Sequence, residues 1–267
     1  MQKGTQTQSW NLKGHTIEDY VIECIAENDV DIVLFSEFAG IDFNKIEDGL
    51  GKMYVRVRGI EDDIKVSAMA KVTICMSSIQ QEKRYNVYKI ETVLKKYLLA
   101  GVHLEDRRNY NNSDRIDTIQ HLMADIEKTE DTFTCDNTIV IGDFNANPYD
   151  EELLSAYAFN AVLFKKVIDK NEFTNFKGEK RKRLYNPILH YISENTEMYG
   201  SFYLDGQSQT SYWWCLDQVL VRKVLANNIV NVQYIKSVGS RDLLRKDKIP
   251  NKNISDHLPL LVNIQEV

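Results

Sequence analysis

Hydrophobic and polar positions along this chain alternate in short blocks. Thr16 to Asn28 places Ile17, Val21, Cys24 and Ile25 on one face of a helix, with Thr16 positioned to cap it. The run Asp31 to Glu37 is short, apolar and β-branched, the pattern of a buried strand whose polar end emerges at Ser36-Glu37. Further strands are expected over Met53 to Arg58, Ile64 to Met76, Tyr97 to Leu104, Asn137 to Gly142, Leu216 to Arg222, Ile229 to Ser237 and Leu258 to Ile264. Helices are expected over Ser113 to Lys128 and Pro148 to Ile168. The segment before Trp10 makes a poor buried strand, because Thr5, Thr7 and Ser9 are interspersed with Gly4, Gln6 and Gln8. Many strands, several directly consecutive, with few helices predict an α/β (α+β) architecture. Two mainly antiparallel sheets pack face to face with helices outside, in preference to a doubly wound parallel sheet.

Composition narrows the class without deciding the chemistry. With 267 residues, 43% apolar and 27% charged, the chain fits a globular protein and excludes disordered and fibrous classes. No repeat, low-complexity tract or linker marks a boundary, so residues 1–267 are expected to form one catalytic domain. Met1 to Gln8 lacks the apolar core of a signal peptide, and no stretch approaches the roughly 20 apolar residues of a membrane span. The expectation is a cytoplasmic protein without membrane contact; no obligate protein partner is inferred. Cys24, Cys75, Cys135 and Cys215 show no Cys-x-x-Cys spacing and read as reduced packing residues, against disulfides or zinc. A net charge of -6 argues against a wholly basic nucleic-acid binder, but it permits a local basic face and a carboxylate-rich cation site.

The candidate chemistry lies where strands end. Trp10-Asn11, Phe35-Ser36-Glu37, Gly142-Asp143-Phe144-Asn145 and Ser255-Asp256-His257 are polar strand termini, and His103 and Asp217 follow the same rule. Together they offer oxygen ligands for a hard cation, an acid-base pair and donors for a phosphoryl oxygen. Singly, each has a plainer reading. Asp143 sits among turn-forming residues, Ser255-Asp256 could be a loop before a last strand, Glu37 a surface carboxylate and His103 a packed histidine. Their joint occurrence in order favours the functional reading.

This series of Trp10-Asn11, Glu37, Gly142-Asp143-Phe144-Asn145, Leu216-Asp217 and Ser255-Asp256-His257-Leu258-Pro259 resembles the motif series of the endonuclease/exonuclease/phosphatase superfamily, and spans nearly the whole chain. The resemblance implies a four-layered, DNase I-like sandwich and a need for Mg2+ or Mn2+. It implies that Glu37 binds the metal, with Asn11 and Asp256 completing or supporting its shell. Asp143 would orient or deprotonate the attacking water, with Asn145 holding that aspartate and the phosphate. His257, made basic by Asp217, would face the phosphoryl oxygen that gains charge, and His103 another oxygen. Two departures stand out: Ser36 occupies a position where the family often has Gln, and the first strand is polar.

Substrate must be read from particular residues, because fold does not fix it. Val140-Ile141 stand where inositol phosphatases place a tryptophan. Lys177 to Arg183 puts five cations in seven residues, including Lys180, Arg181, Lys182 and Arg183, and Ser211-Tyr-Trp-Trp214 offers Trp213 and Trp214 to stack on bases. The plain alternatives are a solvated charged loop and a tryptophan turned into the core. A nuclease is the first reading. A phosphatase or phosphodiesterase on a small metabolite or lipid headgroup is the second, and a non-catalytic binding module the third.

Overall fold

The computed structural model describes residues 4–15, 17–59, 63–92, 95–192, 199–204 and 212–265. Its first strands are β1 (Thr5–Asn11), β2 (Ile32–Ser36), β3 (Tyr54–Val57), β4 (Val66–Lys71), β5 (Cys75–Glu82), β6 (Tyr85–Glu91), β7 (Lys96–His103) and β8 (Thr138–Asp143). Short strands β9 (Ala161–Val162), β10 (Phe173–Phe176), β11 (Glu179–Lys182), β12 (Leu184–Tyr185), β13 (Phe202–Leu204) and β14 (Tyr212–Trp214) follow. The chain closes with β15 (Asp217–Val221), β16 (Ile229–Tyr234), β17 (Ser237–Val238), β18 (Arg241–Asp242) and β19 (Leu260–Ile264). The helices are α1 (Glu18–Glu27), α2 (Phe43–Gly49), α3 (Asn112–Phe133), α4 (Glu151–Leu154), α5 (Lys165–Lys170) and α6 (Ile188–Tyr191).

Two sheets dominate, ordered β16-β19-β1-β2-β4-β3 and β5-β6-β7-β8-β15-β12-β9. Most neighbours are antiparallel, but each sheet has a parallel pair at its centre, β1 with β2 and β7 with β8. The inner faces meet in a shared core that includes Leu34, Val66, Leu99, Ile141, Val219 and Val262. A Cβ on Gly101 of β7 would lie 2.7 Å from Val66 and 3.0 Å from Leu34 across the sandwich, which shows how closely the sheets approach. On the outer face of the second sheet, Ile119, Leu122 and Ile126 of α3 pack with Val87, Val102, Val140 and Leu220. On the outer face of the first lies α1, with Cys24 Sγ 3.7 Å from Gln8 Oε1. The result is four layers, helix–sheet–sheet–helix, as the strand-rich pattern predicts. No helix among the described residues is long and apolar enough to cross a membrane.

Several local expectations are corrected. β1 is a central strand, paired with β19 on one edge and β2 on the other, despite its polarity. Thr7, Gln8 and Ser9 are buried there, because main-chain bonding on both edges fixes the segment whatever its side chains prefer. The expected strand Ile64 to Met76 is two strands, β4 in the first sheet and β5 in the second, broken by a turn that carries the chain across. The expected helix Pro148 to Ile168 is α4 and α5 separated by β9. Asn160, in the left-handed region at φ +51°, breaks it and donates to the carbonyls of Arg181 and Lys182. Helix α3 starts where Asn111 Oδ1 accepts from Asp114 N at 3.0 Å and runs past the expected end to a left-handed Thr134. Thr16, the expected cap of α1, lies outside the described residues.

Candidate active site

Because the central pairs are parallel, their C-terminal ends emerge on one rim of the sandwich. Asn11 of β1 lies beside Ser36 of β2, so Glu37 follows at the same edge. His103 of β7 lies beside Asp143 of β8, and antiparallel β15 brings its first residue, Asp217, opposite Asp143. The segment before β19 adds Asp256 and His257 from the first sheet. All eight residues expected to carry metal binding and catalysis therefore converge on this rim. Six of them, Glu37, His103, Asp143, Asn145, Asp256 and His257, line one open cleft of about 880 Å3, within the usual range for a ligand site.

At its centre is Asp143, 1% exposed. Its Oδ2 accepts from Asn11 Nδ2 at 3.0 Å, a bond that crosses from one sheet to the other, and its Oδ1 accepts from the backbone N–H of Asn145 at 2.9 Å. Asn145 is itself left-handed, φ +48°, and its amide donates to Leu104 O at 2.9 Å. Gly142 permits the approach: at φ +147°, a Cβ there would sit 2.1 Å from Val102 O. Beneath this loop the buried guanidinium of Arg115 donates to Asn145 O at 2.8 Å and pairs with buried Glu152.

His257 sits between two carboxylates. Its Nδ1 is 2.7 Å from Asp217 Oδ2, and its Nε2 is 3.9 Å from Asp143 Oδ2. Burial opposes its protonation, but the charges of Asp217 and then Asp143 outweigh this and push it up to about 10. Burial raises Asp217 also, against the pull of His257, so the fully buried pair shares its proton tightly. Asp217 is anchored by its N–H donating to Ser201 Oγ at 3.0 Å and by Tyr234 Oη donating to its carbonyl at 2.7 Å. His257 is fixed through Ser255, whose Oγ donates to Asn11 O at 2.7 Å and accepts from His257 N at 3.0 Å.

On the facing side, Glu37 adopts a left-handed backbone, φ +49°, with its side chain 42% exposed. His103 Nε2 lies 3.4 Å from its carboxylate and 3.8 Å from Asp143 Oδ2. The His103 hydrogen bond, stronger than the opposing effect of burial, lowers Glu37 to about 2, with help from Asn11. Asp256 is 3.2 Å from Lys13 Nζ. Ligand atoms of Asp143, Asp217 and His257 fall within 4.8 Å of one another, spacing that would also suit a metal. That trio is buried, however, with Asp217 hydrogen-bonded to His257 and Asp143 to Asn11 and Asn145, whereas Glu37 is ionised and open to the cleft. The first arrangement suits proton handling and the second suits cation binding.

The residues expected to touch nucleic acid divide. Trp214 lines the cleft, stacked on Tyr212 at 5.3 Å with 15° between rings, whereas Trp213 points to the other side of the same ribbon. Lys180, Arg181, Lys182 and Arg183 are not brought to the rim. They lie on and beside the hairpin β10-β11, and Lys182 pairs with Asp136 and Glu130 near the opposite end of β8. Four residues of strand separate Thr138 from Asp143, about 16 Å of rise, so a phosphate at Asp143 is out of reach of that run. The placement follows from ion pairing: carboxylates at the end of α3 draw Lys182 in, and Arg183 is held by Thr174 and Asn171. Sequence reasoning missed the cations that do line the cleft, Lys13, Lys65, Arg84, Arg107 and Arg108. They are dispersed over almost a hundred residues of sequence, and only the Arg107-Arg108 doublet after His103 gave a local signal.

No protein-family model matches the sequence, and no curated protein matches it. Solved structures match it end to end. An endonuclease/exonuclease/phosphatase family protein from Bacteroides thetaiotaomicron superposes with a TM-score of 0.61 at 13% identity, covering 99% of this chain and 98% of the other. D. rerio TDP2 complexed with a single-strand DNA product gives 0.62 at 12% identity, covering 98% and 99%. An AP endonuclease from Archaeoglobus fulgidus gives 0.56 at 15% identity, covering 98% and 100%. The chain thus has the DNase I-like, four-layered sandwich of the superfamily that its motifs resemble.

Proposed function

We propose that this protein is a divalent-metal-dependent phosphodiester hydrolase acting on nucleic acid. The observation that carries the reading is His257, held by Asp217 and facing Asp143 across the same cleft that Glu37 and His103 enter from the other side. Asp143, fixed by Asn11 and the Asn145 N–H, is placed to orient the attacking water and accept its proton. His257, as a cation, donates from Nε2 to the phosphoryl oxygen that gains charge, while Asp217 keeps the ring in line and charged. His103 and the remaining amide hydrogen of Asn145 are positioned for further phosphoryl oxygens.

The donor set fits a hard cation. Glu37 offers an ionised carboxylate aimed into solvent, and Asp256 already attracts the ammonium of Lys13. Glu37 and Asp256 would hold Mg2+ or Mn2+, with Asn11 supporting because both ends of its amide are engaged by Asp143 and Lys13. When bound, the ion supplies charge neutralisation at the phosphoryl group.

A polynucleotide is favoured over a small phosphoester by the open cleft, the cations spread along it among its carboxylates and the stacked Tyr212–Trp214 pair. A similar structure solved with a single-strand DNA product, that of D. rerio TDP2, supports the same reading. The test is incubation of the purified protein with labelled single- and double-stranded DNA and RNA, bis-p-nitrophenyl phosphate and inositol phosphates, with Mg2+, Mn2+ or EDTA. Cleavage of oligonucleotides that EDTA abolishes supports the assignment; turnover of inositol phosphates alone would move it to the small-phosphoester reading.

A further inference from the structure

A second concavity of about 480 Å3 lies behind the β13-β14 ribbon. Strand alternation sends the aromatic side chains of this ribbon to two faces. Phe202 and Trp214 face the catalytic cleft, with the Phe202 ring 5.1 Å from that of His257. Trp213 faces the second groove, 5.6 Å from Tyr203 and 6.0 Å from Tyr199. Tyr199 is 48% exposed, so the shelf opens to solvent at that end, while Trp213 is half-buried against the core. The floor includes Tyr234, whose hydroxyl reaches Asp217, and Leu258, which follows His257. The two concavities therefore stand back to back, with the ribbon between them.

Residues 236–248 supply much of the remaining lining, with Asp242 among it, while Arg245, Lys246 and Lys252 line a separate concavity and Arg241 pairs with Glu23. Lys236 and Lys248 line the groove itself. A flat aromatic face opposite ammonium groups recognises a nucleobase and its phosphate, the pairing by which single strands are held without base readout. We infer that this groove is a second nucleotide subsite, taking a base and phosphate of a single strand that passes from the catalytic cleft over the ribbon.

The inference rests on the nuclease reading for the identity of the strand, and its test separates the two. Binding is measured in EDTA for a dinucleotide and for an oligodeoxythymidylate of about twelve nucleotides, within the usual site size for a single strand. Turnover is measured separately with Mg2+ on the same probes and on bis-p-nitrophenyl phosphate. Tyr199→Leu is expected to weaken the long oligonucleotide about tenfold or more. Lys248→Ala is expected to lower the log-log salt slope by about 0.7. Dinucleotide affinity and bis-p-nitrophenyl phosphate turnover should stay unchanged in both. Unchanged long-oligonucleotide affinity in both variants, with normal wild-type cleavage, overturns the subsite and leaves the nuclease reading standing. Loss of long-strand binding in the variants, with no wild-type cleavage of any oligonucleotide, supports the subsite and removes the nuclease reading. Saturable dAMP binding lost in Tyr199→Leu while the long oligonucleotide binds normally also overturns it, because the groove then serves a free nucleotide.

Discussion

Glu37 and His257 face each other with their proton equilibria displaced in opposite directions, and each displacement has a consequence that can be measured. His257 lies above its ordinary 6.5, at about 10, so its stabilising contribution is complete below pH 6.5 and is lost as pH rises toward 10. Glu37 lies below its ordinary 4.5, at about 2, so its contribution is complete above pH 4.5 and fades as pH falls toward 2; solvent screening keeps it small. Thermal unfolding across pH should show a shallower alkaline limb in His257→Asn than in wild type. His257→Asn also strands Asp217, so the limbs and not the absolute melting points are compared; parallel limbs would refute the displacement. For catalysis, His257→Ala and Asp143→Asn should each lower kcat by roughly 10²-fold or more with the fold retained. Asp217→Asn should be a milder version, and adding it to His257→Ala should cost little more, whereas strict additivity would show independent action. Glu37→Gln should raise the Mg2+ concentration needed for half-maximal rate, and an unchanged titration would remove Glu37 from the cation site.

Among the elements, the loop after β8 and the hairpin β10-β11 make contrasting predictions. The loop is set by Gly142, whose backbone no other residue adopts without strain, and by Arg115 beneath Asn145. Gly142→Ala should destabilise the protein and reduce activity together, since a Cβ meets a backbone carbonyl that has no room to give. Arg115→Met leaves buried Glu152 with Arg107 alone and takes the guanidinium donor from Asn145 O, and should lower stability, read from denaturant midpoints. The hairpin should behave otherwise. Neutralising Lys180, Arg181, Lys182 and Arg183 should lower the melting temperature, because Lys182 partly offsets the charge of Glu130 and Asp136, but leave oligonucleotide KM unchanged. Neutralising Lys65 and Arg84 instead should raise that KM and flatten its salt dependence, by about 0.7 to 0.9 in the log-log slope for each phosphate that is no longer neutralised.

At the scale of the whole molecule, the sandwich shields its thiols. Burial pushes Cys24 and Cys215 up to about 12 and raises Cys135 as well, and Cys75 alone of the four is exposed. At pH 8 a thiolate reagent should therefore modify one thiol quickly in the native protein and all four in denaturant. Rapid native modification of more than one would show that the layers open readily. The same two-sheet construction makes the site depend on both halves of the core. The Asn11 to Asp143 bond joins them, so Asn11→Ala should reduce turnover even though Asn11 takes no proton.

The strand-rich period pattern was enough to indicate the layered architecture, and the polar residues closing each apolar run, Asn11, Glu37, His103, Asp143, Asp217 and His257, were enough to pick out the side chains that share the rim, because both signals are local in the chain. Position was another matter. Sequence left β1 weak since its strength comes from partners 260–264 and 32–36, not from its own residues. It joined β4 to β5 and α4 to α5 since nothing local marks a change of sheet or an edge partner. It grouped Lys180 to Arg183 as a binding patch since adjacency in sequence resembles a surface, whereas their carboxylate partners Glu130 and Asp136 are remote in sequence. The grouping of Lys13, Lys65, Arg84, Arg107 and Arg108 along one cleft exists only once parallel strand pairs bring their ends to one edge. Residue type and period are properties of a segment, while strand order, and with it which charges share a cleft, is fixed by long-range pairing and ion pairing that only the folded chain expresses.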